Sequence, residues 1–505
     1  MNDYHRLIKS PLFALGIFFT MLVVLNGQDL IPSATMFQFH DRTQYARVLE
    51  YAHALRTWHI PPVNADHMNF GLGYPIFLFY APGAYIIGAV LHLAQVPIIE
   101  SVRFVFLMAW ISGGIGMFYW QNTSKNRLVS IIASALYTTS PWWASEIFVR
   151  GNLASALFLA TAPWSLWALE SYKRHRIIAS LAIGLTLLSH NALSLLWIPI
   201  LFLYSLIAHS ESKAWRSRLI FLILSLVGTA WFWIPSLLQL HLTYAREVAA
   251  LTRYTDHFLC LSQIWTTGYW GYGASIKGCE DGMSFMIGKI QIILFAIGCI
   301  IALLQWKKSK HEGILAIASM MIIIMTLTIS SPLWSILTPL HSLQFPWRLL
   351  SLALPFVIAV GASTFQRIPE LLSHFTRAKR FPRFFVTYTV GALGISLCLL
   401  LIVTSHKFFI GQVDTTAALA ARVTSYHYVS EIAAYEVPEY LPRSVDRTLW
   451  LSLRNNPPTA LESSLLTVQM QQFRPSYALS MFASFVSIMS YYVLWIWLPS
   501  KKIQS

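Results

Sequence analysis

The chain has 505 residues, of which 56% are hydrophobic and 11% are charged, and its mean hydropathy is +0.56. A soluble protein of this length needs far more charge to solvate its surface, so the composition excludes that class. The net charge of +15 is confined to short gaps between apolar runs, which indicates membrane topology and argues against a nucleic-acid partner.

The basic residues define the cytoplasmic face. Twenty of the 36 Lys and Arg residues lie in seven gaps that hold only five acidic residues, so these gaps carry the whole excess. Each interval between two such gaps must therefore contain an even number of crossings. The gaps contain Arg6 and Lys9; Lys125 and Arg127; Lys173, Arg174 and Arg176; Lys213, Arg216 and Arg218; Lys307, Lys308 and Lys310; Arg367, Arg377, Lys379, Arg380 and Arg383; and Lys501 and Lys502.

The apolar runs are continuous and do not alternate, which favours helices over the strands of a membrane barrel. The sequence therefore predicts an all-α polytopic integral membrane protein with about twelve transmembrane helices, arranged as six hairpins. The predicted spans are 10–26 with 101–120, 127–149 with 153–170, 177–189 with 192–208, 217–238 with 285–305, 312–330 with 345–365, and 384–405 with 477–498.

Two segments depart from simple spans. The stretch Tyr74–Leu93 cannot cross fully without misplacing every later basic gap, and Pro75, Pro82 and Gly83 favour a broken helix that lies at the interface or re-enters. The stretch 177–208 is expected to form two short spans hinged at Ser189-His190-Asn191.

The predicted organisation is a transmembrane core over 1–405 with external loops at 27–100 and 239–284. An external C-terminal loop follows at 406–476, and 477–505 forms the last span and a cytoplasmic tail. Cys260 and Cys279 share one external loop, so a disulfide is predicted, with two free thiols as the alternative.

The first external loop contains the candidate base. Asp41 follows the first span and precedes amphipathic sequence that runs to Trp58, a place from which a carboxylate can act at the membrane surface. Asp29 and Asp66 are alternative bases. The competing interpretation of Asp41 is a cap for the helix that begins here.

Cationic and polar groups recur at the outer ends of later spans. Arg150 can hold a phosphate or form an ion pair with Glu146. His190 can donate to phosphate oxygens or form an interhelical hydrogen bond with its neighbourhood. Arg348 is expected about one turn inside the membrane, where an arginine is a functional hypothesis by default.

Together these residues predict that a lipid-linked phosphate is held by Arg150, His190 and Arg348 while Asp41 deprotonates an acceptor or binds a metal. No metal-ligand spacing and no nucleotide-binding glycine pattern is present, so no cofactor is predicted with certainty, and a divalent metal remains open. The supporting residues are predicted to be His40, Glu146, Asn152, Asn191 and Gln344.

At these residues the chain resembles the GT-C superfamily of membrane glycosyltransferases, and more specifically the bacterial membrane proteins labelled 6-pyruvoyl-tetrahydropterin synthase-related. That resemblance implies Asp41 as the catalytic base and Tyr74–Leu93 as part of a juxtamembrane layer. The family's acidic residue near Ser155 is missing here. The resembling segments are His40-Asp41, Gly71–Tyr80, Arg150–Asn152, Ser189–Asn191, Asp281–Phe285, Gln344–Arg348 and Glu439–Pro442.

The resemblance and the residues together predict a hexosyltransferase-type enzyme. It would move a sugar from a polyprenyl-phosphate-linked donor to an acceptor on the non-cytoplasmic face of the bacterial inner membrane. Two alternatives are a transporter or flippase of lipid-linked saccharides and a non-enzymatic protein of envelope assembly. The oligomeric state is not defined by the sequence.

Overall fold

The computed structural model describes residues 11–32, 35–123, 126–207, 215–268, 270, 273–280, 282–307, 310–376, 383–425, 427–432, 438–452, 459–472 and 475–497. Asp281 and the predicted cytoplasmic tail after residue 497 lie outside this part of the chain. So do some of the basic residues that define the predicted topology, namely Arg6, Lys9, Lys125, Lys213, Lys308, Arg377, Lys379, Arg380, Lys501 and Lys502.

The described chain is almost entirely helical. Its first half contains α1 (Pro11–Asn26), α2 (Gln44–Arg56), α3 (Ile76–Phe79), α4 (Gly83–Leu93), α5 (Ile98–Asn122), α6 (Arg127–Thr138), α7 (Pro141–Ala144), α8 (Leu153–Ser171), α9 (Arg176–Leu187), α10 (Asn191–Ile207), α11 (Trp215–Val227) and α12 (Ala230–Gln239). A π-helix, Ser145–Arg150, lies between α7 and α8.

The second half continues the helical arrangement and adds short connecting turns. It contains α13 (Ala245–Leu251), α14 (Leu261–Trp265), α15 (Lys289–Leu304), α16 (Lys310–Ile324), α17 (Ser331–Ile336), α18 (Leu350–Thr376), α19 (Arg383–Ser405), α20 (Thr416–Val423), α21 (Arg447–Ser452), α22 (Ala460–Gln472) and α23 (Tyr477–Trp497). Two of its 3₁₀ turns, which carry Arg348 and Glu439, are Pro346–Leu349 and Pro438–Tyr440.

Within the described residues, four helical segments are long and apolar enough to cross a membrane: Ile98–Asn122, Leu153–Ser171, Pro346–Arg367 and Gly391–Phe408. The pair Trp215–Val227 and Ala230–Leu242 also qualifies when taken together, with a bend of 66° between its halves. Further apolar helices are shorter, at 10–17 residues. The helical membrane architecture is therefore confirmed, whereas the number of about twelve spans stays a prediction.

The two segments expected to be irregular are both broken. The apolar stretch from Tyr74 divides into α3 and α4 around Pro82, and the hinge at Ser189–Asn191 separates α9 from α10. The breaks lie against each other, because the Gly83 amide donates to the carbonyl of Leu188 at 2.8 Å. A Cβ at Gly83 would lie 2.6 Å from that same carbonyl oxygen, so the contact requires glycine.

Two predicted continuous spans are interrupted. The segment 127–149 stops at Thr138 because Pro141 begins a new helix, capped by the Ser140 hydroxyl, which accepts from the Trp142 amide. The segment 217–238 bends after Gly228, where the ring of Tyr491 packs so closely that a Cβ would lie 2.8 Å from it. The last helix supports this bend, since the Ser487 hydroxyl accepts from the Trp231 amide at 2.9 Å.

Three helical segments form the centre of the core. The segment Pro346–Arg367 and helix α8 are the most deeply buried of the long apolar segments, and α5 packs against α8 and α6. Ser and Trp side chains join these helices, as where Trp142 Nε1 donates to Ser351 Oγ at 2.9 Å and Trp197 Nε1 donates to Ser165 Oγ at 2.9 Å. Polar side chains thus find partners inside the apolar core.

The first and last segments that were predicted to be external contact each other. Strands β1 (Thr35–Phe37) and β2 (Val413–Thr415) pair antiparallel, with Met36 opposite Asp414, an addition that the helical prediction does not include. The pairing is extended by the Gln38 amide, which donates to the Gln412 carbonyl at 2.7 Å. The C-terminal external segment therefore packs on the first loop.

Candidate active site

The segment that carries Asp41 lies beside the π-helix. The His40 amide donates to the Val149 carbonyl at 3.1 Å, and the Asp41 amide donates to the Arg150 carbonyl at 3.0 Å. Gly151 follows in the left-handed conformation, with φ of 61°. A Cβ there would lie 2.1 Å from the ring of Phe39, so only glycine permits this approach.

The Asp41 carboxylate is oriented by its neighbours. Thr43 Oγ1 donates to Oδ1 at 2.5 Å, Gln44 Nε2 donates to Oδ2 at 2.5 Å, and Asn152 Nδ2 donates to Oδ2 at 3.4 Å. Thr43 occupies the cap position of α2, and none of these donors to the Asp41 carboxylate is a backbone amide. The interpretation of Asp41 as a helix cap is therefore wrong. Its side chain remains 22% exposed.

Arg47 is a site residue that the sequence analysis missed. Its side chain is only 2% exposed, and its Nη1 lies 3.9 Å from Asp41 Oδ2. The same nitrogen donates to the Tyr85 hydroxyl at 3.0 Å, and the guanidinium stacks 4.4 Å from the Tyr80 ring centroid. An arginine in amphipathic sequence is usually solvent-facing. The signal available was that Gln44 and Arg47 share one face of α2 at three-residue spacing, and that Asp41 precedes them at the same spacing.

Arg150 forms the ion pair that was one of its two predicted roles. Its Nη1 contacts both carboxylate oxygens of Glu146, at 2.6 and 2.5 Å, and lies 3.3 Å from Ser155 Oγ. The guanidinium also lies 4.7 Å from the centroid of the Trp347 ring. Arg150 lines a cavity while Glu146 is fully buried behind it. The ion pair therefore leaves one side of the guanidinium available to a ligand.

His190 and Asn191 have different environments. His190 Nδ1 accepts from the Leu193 amide at 3.3 Å, which in the neutral ring leaves Nε2 as the hydrogen-bearing nitrogen. Asn191 instead fastens the broken helix, because its Nδ2 donates to the Phe79 carbonyl at 2.6 Å and its Oδ1 accepts from the Ala81 amide at 2.6 Å. His190 is thus suited to ligand contact and Asn191 to support.

Arg348 lies in the 3₁₀ turn before α18. Its Nη1 donates to the Leu343 carbonyl at 2.9 Å, and its guanidinium lies 4.7 Å from the Phe345 ring centroid. Its Nε is buried without a hydrogen-bond partner in the part of the chain that the structure describes. Gln344 precedes this turn with a φ of 63° and lines a cavity together with Arg348.

Two cavities meet at Asp41. One has a volume of about 630 Å³ and includes Arg150 and Trp347, and the other has a volume of about 1560 Å³ and includes His190, Asn191 and Gln344. We call them the small and the large compartment. The residues that line both are His40, Asp41, Asn152, Thr252, Arg253 and Arg348.

The two compartments differ in their walls. The large one continues between α10 and α12 past Leu195, Trp233 and Leu237, and Leu195 and Leu237 are 48% and 55% exposed. The small one has polar walls with Asp256, His257 and Ser275. Burial lowers the pKa of His257, and the nearby Asp256 carboxylate opposes that effect.

The predicted disulfide is present. Cys260 and Cys279 are bonded, so the alternative of two free thiols is wrong. Ala274 and Ser275 of the small compartment lie in the loop that this bond closes. The disulfide therefore restrains one wall of the small compartment.

Glu439 and Tyr440 are further residues that the sequence analysis did not assign to the site, although they belong to one of the resembling segments. Both line the large compartment. Burial raises the pKa of the Glu439 carboxyl, and its own backbone amide, Arg47 and Arg348 oppose the rise. Across the site, burial and the nearby Arg150 charge lower the pKa of His40.

A metal centre has no prebuilt ligand cluster in the described residues, since no three His, Cys, Asp or Glu side chains there converge suitably for one ion. Asp41 is the carboxylate that lines both compartments, and its oxygens are of the type that Mg²⁺ and Mn²⁺ accept. Metal binding therefore stays an alternative role for Asp41.

Three of the solved structures that resemble this chain are 11–12% identical to it in sequence. The apo oligosaccharyltransferase of Archaeoglobus fulgidus is 12% identical, with a TM-score of 0.49. The matched region covers 92% of this chain and 60% of the oligosaccharyltransferase chain. AglB from the same organism, in complex with an inhibitory peptide and a dolichol-phosphate, is 11% identical with a TM-score of 0.48 and covers 80% and 56%. ArnT from Cupriavidus metallidurans, bound to undecaprenyl phosphate, is 11% identical with a TM-score of 0.35 and covers 94% and 88%.

This chain thus spans less than two thirds of the first two proteins. No curated protein matches the sequence. The profile of a family of membrane proteins, described as the 6-pyruvoyl-tetrahydropterin synthase related domain, matches residues 77–410. That match covers more than half of the chain and includes α4 to α19 with Arg150, His190 and Arg348. The chain therefore belongs to the 6-pyruvoyl-tetrahydropterin synthase related family of membrane proteins.

Proposed function

We propose that this protein is a membrane glycosyltransferase that moves a sugar from a polyprenyl-phosphate-linked donor to an acceptor on the non-cytoplasmic face. The observation that carries the proposal is the position of Asp41 where the two compartments meet. A transferase must bring two substrates together at one reacting group, and two cavities that share a carboxylate and Arg348 satisfy that need.

The phosphate of the donor would lie among cations at the membrane end of the large compartment. Arg348 lines both compartments, and His190 Nε2 can donate from the wall of the large one. Arg150 faces the same region from the small compartment. These groups would stabilise the negative charge that develops on the departing phosphate, which is commonly the largest contribution to catalysis.

The apolar wall would hold the prenyl chain of the donor. Leu195 of α10 and Leu237 of α12 line the large compartment and are about half exposed. A prenyl chain is favoured in such a groove because each buried methylene contributes about 0.8 kcal/mol. The polar small compartment would then receive the acceptor.

In the proposed reaction the acceptor oxygen forms a bond to the anomeric carbon while the bond from that carbon to the phosphate oxygen breaks. The acceptor proton passes to an oxygen of Asp41, and the bonding electrons leave with the phosphate towards Arg348. Arg47 would keep the carboxylate in place for this transfer, since it lies 3.9 Å from Oδ2. A metal bound at Asp41 is an alternative role for this residue.

The decisive test is a transfer assay with purified protein and a labelled polyprenyl-phosphate hexose. We expect the wild type to form a labelled product and Asp41→Asn to lose at least about 100-fold of its rate, the usual worth of a general base. Asp66→Asn is the matched control, because Asp66 lies in the same loop, 3.9 Å from His53 and 44% exposed, and lines neither compartment.

The outcome also separates the rival functions. Normal transfer by a folded Asp41→Asn protein would exclude Asp41 as the base. Movement of labelled lipid across a vesicle membrane without product would instead favour a transporter or flippase. Asp29, the other alternative base, is engaged by the C-terminal segment, since its Oδ2 accepts from the Gly411 amide at 2.8 Å.

A further inference from the structure

Glu439 is a carboxyl group that the proposed reaction does not use. It lies in the 3₁₀ turn Pro438–Tyr440, on the wall of the large compartment. Its Oε2 is buried and has no hydrogen-bond partner in the described part of the chain. The residue as a whole is only partly buried and lines the large compartment. A buried carboxyl oxygen without a partner is costly, which suggests that a ligand supplies one.

The turn that carries Glu439 is held from several directions. The Tyr440 amide donates to the Tyr74 hydroxyl at 2.9 Å, and the Tyr440 ring stacks 5.3 Å from that of Phe79. One residue further on, the Leu441 carbonyl accepts from the Tyr244 amide at 3.0 Å. Such fixation suits a group that must meet its ligand in one geometry.

The neighbouring cations do not neutralise Glu439. The charges of Arg47 and Arg348 lower the pKa of the Glu439 carboxyl, but neither arginine forms an ion pair with it among the described residues. Arg47 is occupied by Tyr85 and by the Tyr80 ring, and Arg348 donates to the Leu343 carbonyl. Oε2 therefore has no partner among the described residues and can accept a hydrogen bond from a neutral donor.

Of the three parts of the donor, namely phosphate, prenyl chain and sugar, only the sugar is a suitable partner for the Glu439 carboxyl. A phosphate offers only acceptor oxygens and is repelled by a carboxylate, and a prenyl chain has no donor at all. A sugar hydroxyl both donates and accepts, so it can bind the ionised or the protonated carboxyl. Tyr80 and Tyr440 line the same wall and provide aromatic faces beside this group.

We propose that Glu439 recognises a hydroxyl group of the transferred sugar and thereby makes the site selective for a hydroxylated donor. This inference rests on the proposed function, because it needs a sugar-linked lipid in the large compartment. Glu439 would contact the sugar itself, whereas Arg348 and His190 would contact the phosphate.

The test is equilibrium binding to the purified full-length protein in detergent. The probes are neryl phosphate and its glucosyl, mannosyl and galactosyl esters. We expect at least one ester to bind wild-type protein about 10- to 100-fold more tightly than neryl phosphate, the range of a hydrogen bond to a charged group. Glu439→Ala should remove that advantage and leave neryl phosphate affinity within about threefold. Glu462→Ala, in α22 and lining neither compartment, is the matched control.

The possible results are distinct. If Glu439→Ala keeps the preference for the ester, Glu439 does not recognise the sugar and the proposed function is untouched. If it weakens neryl phosphate equally, Glu439 acts through Arg348 and the inference is wrong. If no ester exceeds neryl phosphate in the wild type, the sugar-linked donor itself is contradicted. Deoxyhexosyl esters bound to wild-type protein give a second measurement that needs no variant, and unchanged affinity for all of them would also overturn the inference.

Discussion

The pair formed by Arg150 and Glu146 allows ligand binding to be separated from structural support. Glu146 is fully buried and Arg150 is 9% exposed, so Arg150→Met leaves an uncompensated buried charge. Removing one partner of such a pair costs about 3–5 kcal/mol, whereas replacing both by apolar groups is often neutral. We therefore expect Arg150→Met to lower the free energy of unfolding by that amount and Arg150→Met with Glu146→Leu to restore most of it.

Activity should not follow stability in this series. If Arg150 binds the donor phosphate, the double variant will fold like the wild type and still transfer sugar about 100- to 1,000-fold more slowly, the usual effect of losing one donor to a developing anion. The measurements are unfolding in detergent and transfer rate per folded protein.

Arg103→Met is the matched control, because Arg103 pairs with Glu100 at 3.1 Å and lines neither compartment. It should lower stability and leave the rate per folded protein unchanged. Wild-type transfer by the double variant would refute a role of Arg150 in ligand binding and leave the ion pair as its only purpose.

Three further predictions concern the surroundings of Asp41. Gly151→Ala should abolish folding or transfer, because its Cβ would overlap the Phe39 ring, whereas Gly16→Ala has nothing within 4 Å and should be neutral in both assays. Burial and the Arg150 charge lower the pKa of His40 in the folded protein, whereas in the unfolded chain this pKa returns to about 6.5. The unfolded chain therefore binds more protons as the pH falls, and the denaturation midpoint should fall between about pH 7.5 and 5.5. The fall should be smaller in His40→Gln. Replacing both Cys260 and Cys279 by alanine should lower the free energy of unfolding by about 2–4 kcal/mol, and alkylation of denatured, unreduced wild type should label Cys299 and Cys398 but neither of the bonded pair.

The helical membrane architecture and several breaks were predictable, because apolar runs, basic gaps and proline positions act locally. The hinge at Ser189–Asn191 and the break near Pro82 follow from such signals and are confirmed. The bend after Gly228 was not predicted, since its cause is the ring of Tyr491, far away in the sequence. Long-range packing of this kind leaves no periodic signal.

The candidate site was predictable only in part. Polar residues at the ends of apolar spans are conspicuous in the sequence. Asp41 and Arg348 line both compartments, Arg150 lines the small one and His190 lines the large one. Arg47 was missed because a buried arginine needs aromatic partners that come from another helix. The roles of all these residues remain predictions.

The pairing of β1 with β2 has a consequence for biosynthesis. A membrane protein leaves the ribosome from its N-terminus, so the segment that carries Asp41 emerges first, and its partner strand emerges almost 400 residues later. Two other hydrogen bonds also join the first loop to a segment that is made much later. The Phe70 amide donates to the Ser430 carbonyl at 3.0 Å, and Trp450 Nε1 donates to Asn69 Oδ1 at 2.6 Å. A nascent or truncated chain that ends before residue 405 can insert its helices while its first loop still lacks these partners. The first loop thus gains these partners only after the later segment has been made, so the site is assembled late in synthesis.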